Sequence, residues 1–285
     1  MQSVAQIDRN RPTPGQLILL PALIWLCLFL LLPVVIILVF SLGSRSPLGQ
    51  IELGFSLNNY WRFFSGPYLL SLSRSLGLAF SNTAICLVLG FATALWLAFV
   101  VKPSRQGLFL TLITAPLWTS FLLRMYAWII ILRPNGLLSG LLEGWNLSSE
   151  LLYTDQAVLL GMVYNYLPYM ILPLYTTLEK LDKRFLEAAA DLGANSWQTF
   201  CKVTIPLSSR GIVAGIIMVF VPSLGDYVTP DLLGGAKSMY IGNLIQNQFL
   251  VVRDWAFGSA VSTILMLIVG IAIFIYLKYG DAEPA

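Results

Sequence analysis

The chain has 285 residues, 57% of them hydrophobic and only 11% charged, with a formal net charge of +3 and a mean hydropathy of +0.77. A soluble domain carries about a quarter of its residues as charges, so this composition excludes one and points to a bilayer. The chain contains no histidine, and its three cysteines, Cys27, Cys86 and Cys201, lack paired spacing; the commonest general base is absent, no zinc motif or disulfide framework is present, and nothing implies a nucleic-acid partner.

In chain order, residues 1–16 read as a polar tail carrying Arg9 and Arg11, and an apolar run follows from Leu17 to Leu42. That run is far longer than a signal-peptide core and no small-residue cleavage site follows, so it reads as a retained span. Further runs long enough to cross about 30 Å of hydrocarbon lie at about 75–101, 108–132, 157–178, 211–228 and 257–277, before a tail at 279–285. The expectation is an all-α, polytopic membrane protein: six transmembrane helices over 17–278, interrupted by a polar segment at 179–210. An even number of spans puts both termini on one side. Lys and Arg in the connecting loops divide ten to six in favour of the N-terminal side, so both termini and the polar segment are expected in the cytoplasm.

The spans carry further marks. Gly90, Ala94 and Ala98 recur at a spacing of four, as do Gly211 and Gly215, a pattern that lets helix backbones approach closely. Pro21, Pro33, Pro116, Pro168, Pro173 and Pro222 predict bends. Arg124 and Asp226 are the two formal charges inside spans, at similar depth; they read either as an intramembrane salt bridge or, in the case of Asp226, as a contact for a cationic solute. The fourth span places Tyr164, Tyr166 and Tyr169 within about two turns. They read as an interfacial belt or as aromatic faces along a cation path, with Tyr227 and Asp231 close to Asp226 in sequence. Beyond these, Ile241, Leu244, Ile245 and Gln248 predict a short amphipathic surface helix, Arg253 and Asp254 a local pair, and Trp255 an interface anchor.

The polar segment is helix-prone up to Leu192, then broken by Gly193; Asn195 or Ser196 can cap a second helix running toward Pro206. Leu186, Ala190, Trp197 and Phe200 give this pair apolar faces, which serve either packing on its own spans or docking of a partner. The run from Glu187, "EAA", three residues, Gly193, nine residues, then "VTIP", resembles the EAA motif of ABC importer permeases, with Val203 and Ile205 standing where that family has isoleucine and leucine. "SFLLRMYAW", "LEKLDKRFLEAAADLGA" and "LGDYVTPDLLGGAKSMYIGNLIQNQFLVVRDWAFGSA" are similar to the first permease subunits of spermidine/putrescine importers.

The resemblance implies a type I ABC importer permease fold in a bacterial inner membrane and a role as the transmembrane half-path of a polyamine importer. It implies Glu187, Ala188, Ala189 and Gly193 as a docking elbow for an ATP-binding cassette ATPase, with Pro206 ending the second helix. It further implies a second, different permease subunit that pairs with this chain as a heterodimer, and an extracytoplasmic polyamine-binding protein. ATP and Mg²⁺ would be bound by the ATPase: this chain has no G-x-x-x-x-G-K-[ST] sequence and is not expected to be an enzyme. An importer for an anion or metal-chelate, with Arg124 as the binding residue, is the alternative. An intramembrane aspartyl protease around "SLGD" lacks the second intramembrane carboxylate that such chemistry needs.

Overall fold

The computed structural model describes residues 14–46, 50–134, 136–138, 140, 151–235 and 239–279. Most of the two expected tails, with Arg9, Arg11 and Lys237, lies outside them. Three helices make the centre of the bundle: α3 (Tyr68–Leu95, prolonged by a π-helical turn Trp96–Val100), α6 (Asp155–Glu179) and α9 (Ser209–Gly225). They pack on one another through Cys86, Phe91, Leu97, Met170, Leu174, Leu178 and Val219. The small residues expected to permit close approach do so: a Cβ on Gly90 would lie 2.8 Å from Met170 Cγ, and one on Gly211 2.8 Å from the Pro173 carbonyl oxygen. Without a hydrophobic effect to separate helix from lipid, such steric fit supplies most of the packing energy.

Around this centre, α1 (Pro14–Ser41) leans on α12 (Trp255–Tyr279), and no residue from Pro21 to Phe40 is buried within the chain. A two-residue hairpin, β1 (Ser44–Arg45) with β2 (Ile51–Glu52), and the short helix α2 (Asn58–Ser65) lead from α1 into α3. The third expected span is broken: α4 (Pro103–Thr114), continued by a 3₁₀ turn to Trp118, meets α5 (Phe121–Leu132) at 91°. Thr119 and Ser120 are extended there, and Pro116 has no N–H to continue a helical ladder. The polar segment forms α7 (Arg184–Asp191) and α8 (Ser196–Leu207), and α8 meets α9 at 70°. Short helices α10 (Val228–Gly234) and α11 (Ile241–Asn247) complete the chain order.

Among the described residues, four helices are long and apolar enough to cross a membrane, and six spans result if each bent pair counts as one. Several expectations need correction. Helix α3 starts at Tyr68, ahead of the apolar run expected from about residue 75, and the fifth helix stops at Gly225, so Asp226 lies at its C-terminal end instead of within it. The helices continue through Pro21, Pro33, Pro168, Pro173 and Pro222 without a break. Pro206 likewise does not end α8, which passes it to Leu207 after a π-helical turn at Phe200–Thr204. Helix α11 is no surface element: Ile241 and Leu244 are buried with Phe63, Phe257 and Val261.

Asp254 does not pair with its neighbour Arg253. Its Oδ2 lies 2.9 Å from Arg62 Nη1 on α2, and its Oδ1 accepts from the Phe257 amide at 3.1 Å, capping α12. The Arg62 guanidinium stacks 4.1 Å from the Phe257 ring centroid. Burial opposes its charge, yet the bond to Asp254 and the neighbouring Tyr68 hold its pKa above the ordinary arginine value. One buried carboxylate therefore ties α2 to the start of the last helix.

Asp254→Ala removes both the cap and the arginine's partner and is expected to destabilise the detergent-solubilised protein by about 1–3 kcal/mol, read as a lower thermal unfolding midpoint; an unchanged midpoint would deny the tie. Gly211→Val drives a side chain against the backbone of α6 and is expected to cost about 1–3 kcal/mol in the same measurement.

Candidate coupling elbow and intramembrane site

The elbow is built by local backbone chemistry. At the end of α7, the Gly193 amide donates to the Ala190 carbonyl at 2.9 Å and the Ala194 amide to Ala189 at 3.0 Å. With Gly193 at φ +81°, this is a Schellman stop, and it requires a residue that tolerates the left-handed region. No atom lies within 4 Å of a Cβ built at Gly193, so the constraint is the dihedral and not space. Asn195 then opens α8 with a capping box: its Oδ1 accepts from the Gln198 amide at 2.8 Å, and Gln198 Oε1 accepts from the Asn195 amide at 3.0 Å. Two helices are thus fixed at an angle by two consecutive devices, the Schellman stop and the capping box.

What this elbow presents is unusual for a polar segment. No residue of α7 is buried; Glu187 and Ala188 are exposed and Ala189 half-buried. Leu192 is 89% and Trp197 70% exposed, and Phe185 also projects outward. Phe200 makes the attachment to the bundle, meeting the Phe91 ring edge-to-face at 5.4 Å. The apolar faces expected from sequence therefore divide: Phe200 packs on the chain's own span, while Trp197 and Leu192 do not.

The second group lies where α9 gives way to α10. Asp226 Oδ1 accepts from the amides of Val228 and Thr229 at 3.0 and 3.2 Å, and Oδ2 from Thr229 Oγ1 at 2.6 Å and Tyr166 Oη at 3.3 Å. The carboxylate thereby caps α10 and ties it to α6. Tyr169 is 40% exposed, with its ring 6.4 Å from that of Tyr166, and Tyr227, beside Asp226, accepts from Asn243 Nδ2 through its carbonyl at 3.1 Å. Asp231 is exposed one turn into α10.

The expected residues do not all converge. Tyr164 points to a different face of α6, edge-to-face with Trp128 at 5.5 Å and away from the Tyr166–Asp226 bond. Arg124 forms no ion pair with Asp226; its Nε and Nη1 are buried without a hydrogen-bond partner, and its guanidinium lies 5.8 Å from the Phe121 ring centroid. Thr229 and Trp128 escaped the sequence reading. The run "DYVTPD" carries a signal for this corner, because an Asp ahead of a Pro and a second Asp suits the capped first turn of a helix; nothing in sequence pairs Trp128 with Tyr164. Among the described residues no cluster of side chains suited to a metal ion occurs.

Comparison with known proteins agrees with these features. Residues 87–281 match the family model described as binding-protein-dependent transport system inner membrane component. The spermidine/putrescine transport system permease protein PotB of Escherichia coli (strain K12) is 41% identical over 257 residues, covering 89% of this chain and 93% of that one. The protein of the same name from Haemophilus influenzae is 39% identical over 257 residues, covering 89% and 90%. In structure, a chain of a bacterial ABC transporter involved in the import of the acidic polysaccharide alginate superposes with a TM-score of 0.74 at 15% identity, covering 92% of this chain and 94% of that chain. The fold is that of a type I ABC importer permease. The long apolar helices, the angled polar elbow and the extent of these matches together establish that this multi-pass membrane chain belongs to the binding-protein-dependent transport system inner membrane component family.

Proposed function

We propose that the chain is a permease subunit of an ATP-driven importer for polyamines, forming half of a path completed by a second permease chain. The observation that carries the mechanical part is the exposed elbow. Its angle is set by Gly193 and Asn195, it leaves Leu192 and Trp197 uncovered, and α8 continues through Ser208 into α9. A force applied at Glu187–Ala189 would reach the span through short, capped helices with little slack. Docking of an ATP-binding cassette ATPase against Glu187, Ala188, Ala189 and Gly193 would apply that force, and ATP and Mg²⁺ would be held in that subunit. The polyamine assignment is supported by the names of the relatives at 39–41% identity. Both termini are assigned to the cytoplasmic side by the distribution of Lys and Arg, and an extracytoplasmic binding protein would deliver solute to the opposite face.

For the solute, Asp226 supplies negative charge at the hydroxyl of Tyr166, whose ring lies 6.4 Å from that of Tyr169, with Tyr227 next in sequence, a combination suited to an ammonium group. Asp231, one turn further, adds a second carboxylate. Tyr164 belongs to the Trp128 face, so a contact with the same ammonium group is not assigned to it. A second reading takes its support from Arg124, whose buried nitrogens lack a partner: an anionic solute would satisfy them.

The two solute readings separate by mutation in the reconstituted complex of both permeases, ATPase and binding protein. Asp226→Asn is expected to raise the spermidine KM about tenfold or more, the loss of one charge-assisted bond being about 1.5–3 kcal/mol, while Arg124→Gln leaves it within about threefold. Normal KM and Vmax in Asp226→Asn together with abolished uptake in Arg124→Gln would reverse the assignment. For the elbow, Gly193→Val is strained at positive φ by about 1–2 kcal/mol and is expected to cut ATP-dependent uptake at least tenfold with normal membrane insertion, as is Glu187→Lys. Normal uptake in either variant would reject the docking role.

A further inference from the structure

A groove runs between α3 and α6 at the end of the bundle opposite the elbow, on a face that the coupling and solute assignments do not use. Its upper part, about 260 Å³, is lined by Arg74, Ser81, Asp155 and Tyr240. Its deeper part, about 450 Å³, is lined by Ile85, Trp128, Leu160, Val163 and Tyr164. Gln156 and Leu159 border both parts, so the two adjoin.

The depth of each part follows from helix geometry. The α3 span Tyr68–Val100 has 33 residues, roughly 50 Å at about 1.5 Å per residue, against about 30 Å of hydrocarbon. With the ends of α3 and α6 nearest the elbow set at one boundary, the other boundary crosses α3 near residue 80 and α6 near residue 159. Arg74 and Asp155 then stand roughly 6–9 Å beyond the hydrocarbon, at the level of the headgroups. Ile85, Leu160, Val163 and Tyr164 stand within the adjoining leaflet. The groove is polar where the bilayer is polar and apolar where it is apolar.

The charges choose the occupant. Asp155 Oδ1 accepts from Tyr240 Oη at 2.8 Å, whereas Arg74 is exposed and makes no ion pair or hydrogen bond among the described residues. A guanidinium at headgroup depth above an apolar groove is complementary to a phosphate carrying an acyl chain, and it disfavours a polycation. Trp128 and Tyr164, edge-to-face at 5.5 Å, form a rigid lower wall. We infer that this groove holds one phospholipid, its phosphate on Arg74 and one acyl chain between Ile85 and the Trp128–Tyr164 pair.

The test uses the complete transporter in nanodiscs containing phosphatidylglycerol with a photoreactive diazirine in its acyl chain, with adducts mapped by mass spectrometry. Adducts at Val163 and Tyr164, normalised to those on the lipid-facing residues Leu28 and Leu32 of α1, are expected to fall at least fivefold in Arg74→Gln. The same loss is expected in Val163→Trp, which fills the groove and leaves the arginine in place, and with a phosphate-free galactolipid carrying the same diazirine. An unchanged ratio in both variants overturns the inference. So does equal labelling by the galactolipid, or a bifunctional cross-link showing the partner permease or the binding protein seated on Ile85 and Val163.

Discussion

The structure rests on one constraint: in hydrocarbon, no backbone or side-chain polar group can be left to water, and no hydrophobic effect pulls helices together. The centre of the bundle answers both demands through small residues and short polar links. Gly90 receives Met170, Gly211 receives the α6 backbone, and the buried Asn82 Nδ2 donates to Ser223 Oγ at 2.7 Å between α3 and α9. At its far end, Ser75 Oγ accepts from the Ile241 amide at 2.7 Å, joining α3 to α11 across 166 residues of sequence. Helices α3, α6 and α9 thus form a stiff unit whose relative positions are set by contact rather than by solvent. The departures from regular spans, at Thr119–Ser120 and at Ser208, lie outside this unit.

Stiffness gives the elbow its meaning. A free polar loop would bury its apolar residues or avoid having them, yet Leu192 and Trp197 stand outward on a frame of capped helices anchored by Phe200. That frame runs into α9, and α9 ends at Asp226. The proposed coupling surface and the proposed solute contact are therefore the two ends of one element. At the opposite face, Arg62 and Asp254 bind α2 to α12, so the connection between the first and second spans is also braced.

Much of this was legible in the sequence, for reasons that can be named. Apolar runs must match bilayer thickness, so the long membrane helices are visible in the sequence, and a glycine closing a helix-prone stretch before an Asn reads directly as the stop and restart at Gly193 and Asn195. What failed was mostly tertiary. Hydropathy does not see a right-angle bend inside an apolar run, so α4 and α5 read as one helix. Arg124 and Asp226 looked like partners because depth is computable from sequence while azimuth around a helix bundle is not. Asp226 was seen as a charge inside a span, and the capping pattern that follows it was overlooked.

The fourfold bonding of Asp226 has a thermodynamic corollary. All its acceptor positions are engaged by Val228, Thr229 and Tyr166, so a cation that takes this carboxylate must displace either Tyr166 or a donor in the first turn of α10, which supplies three of the four bonds. Cation occupancy and fraying of that turn are then linked functions: whatever loosens the α9–α10 corner increases affinity for the cation, and the cation loosens the corner by the same factor.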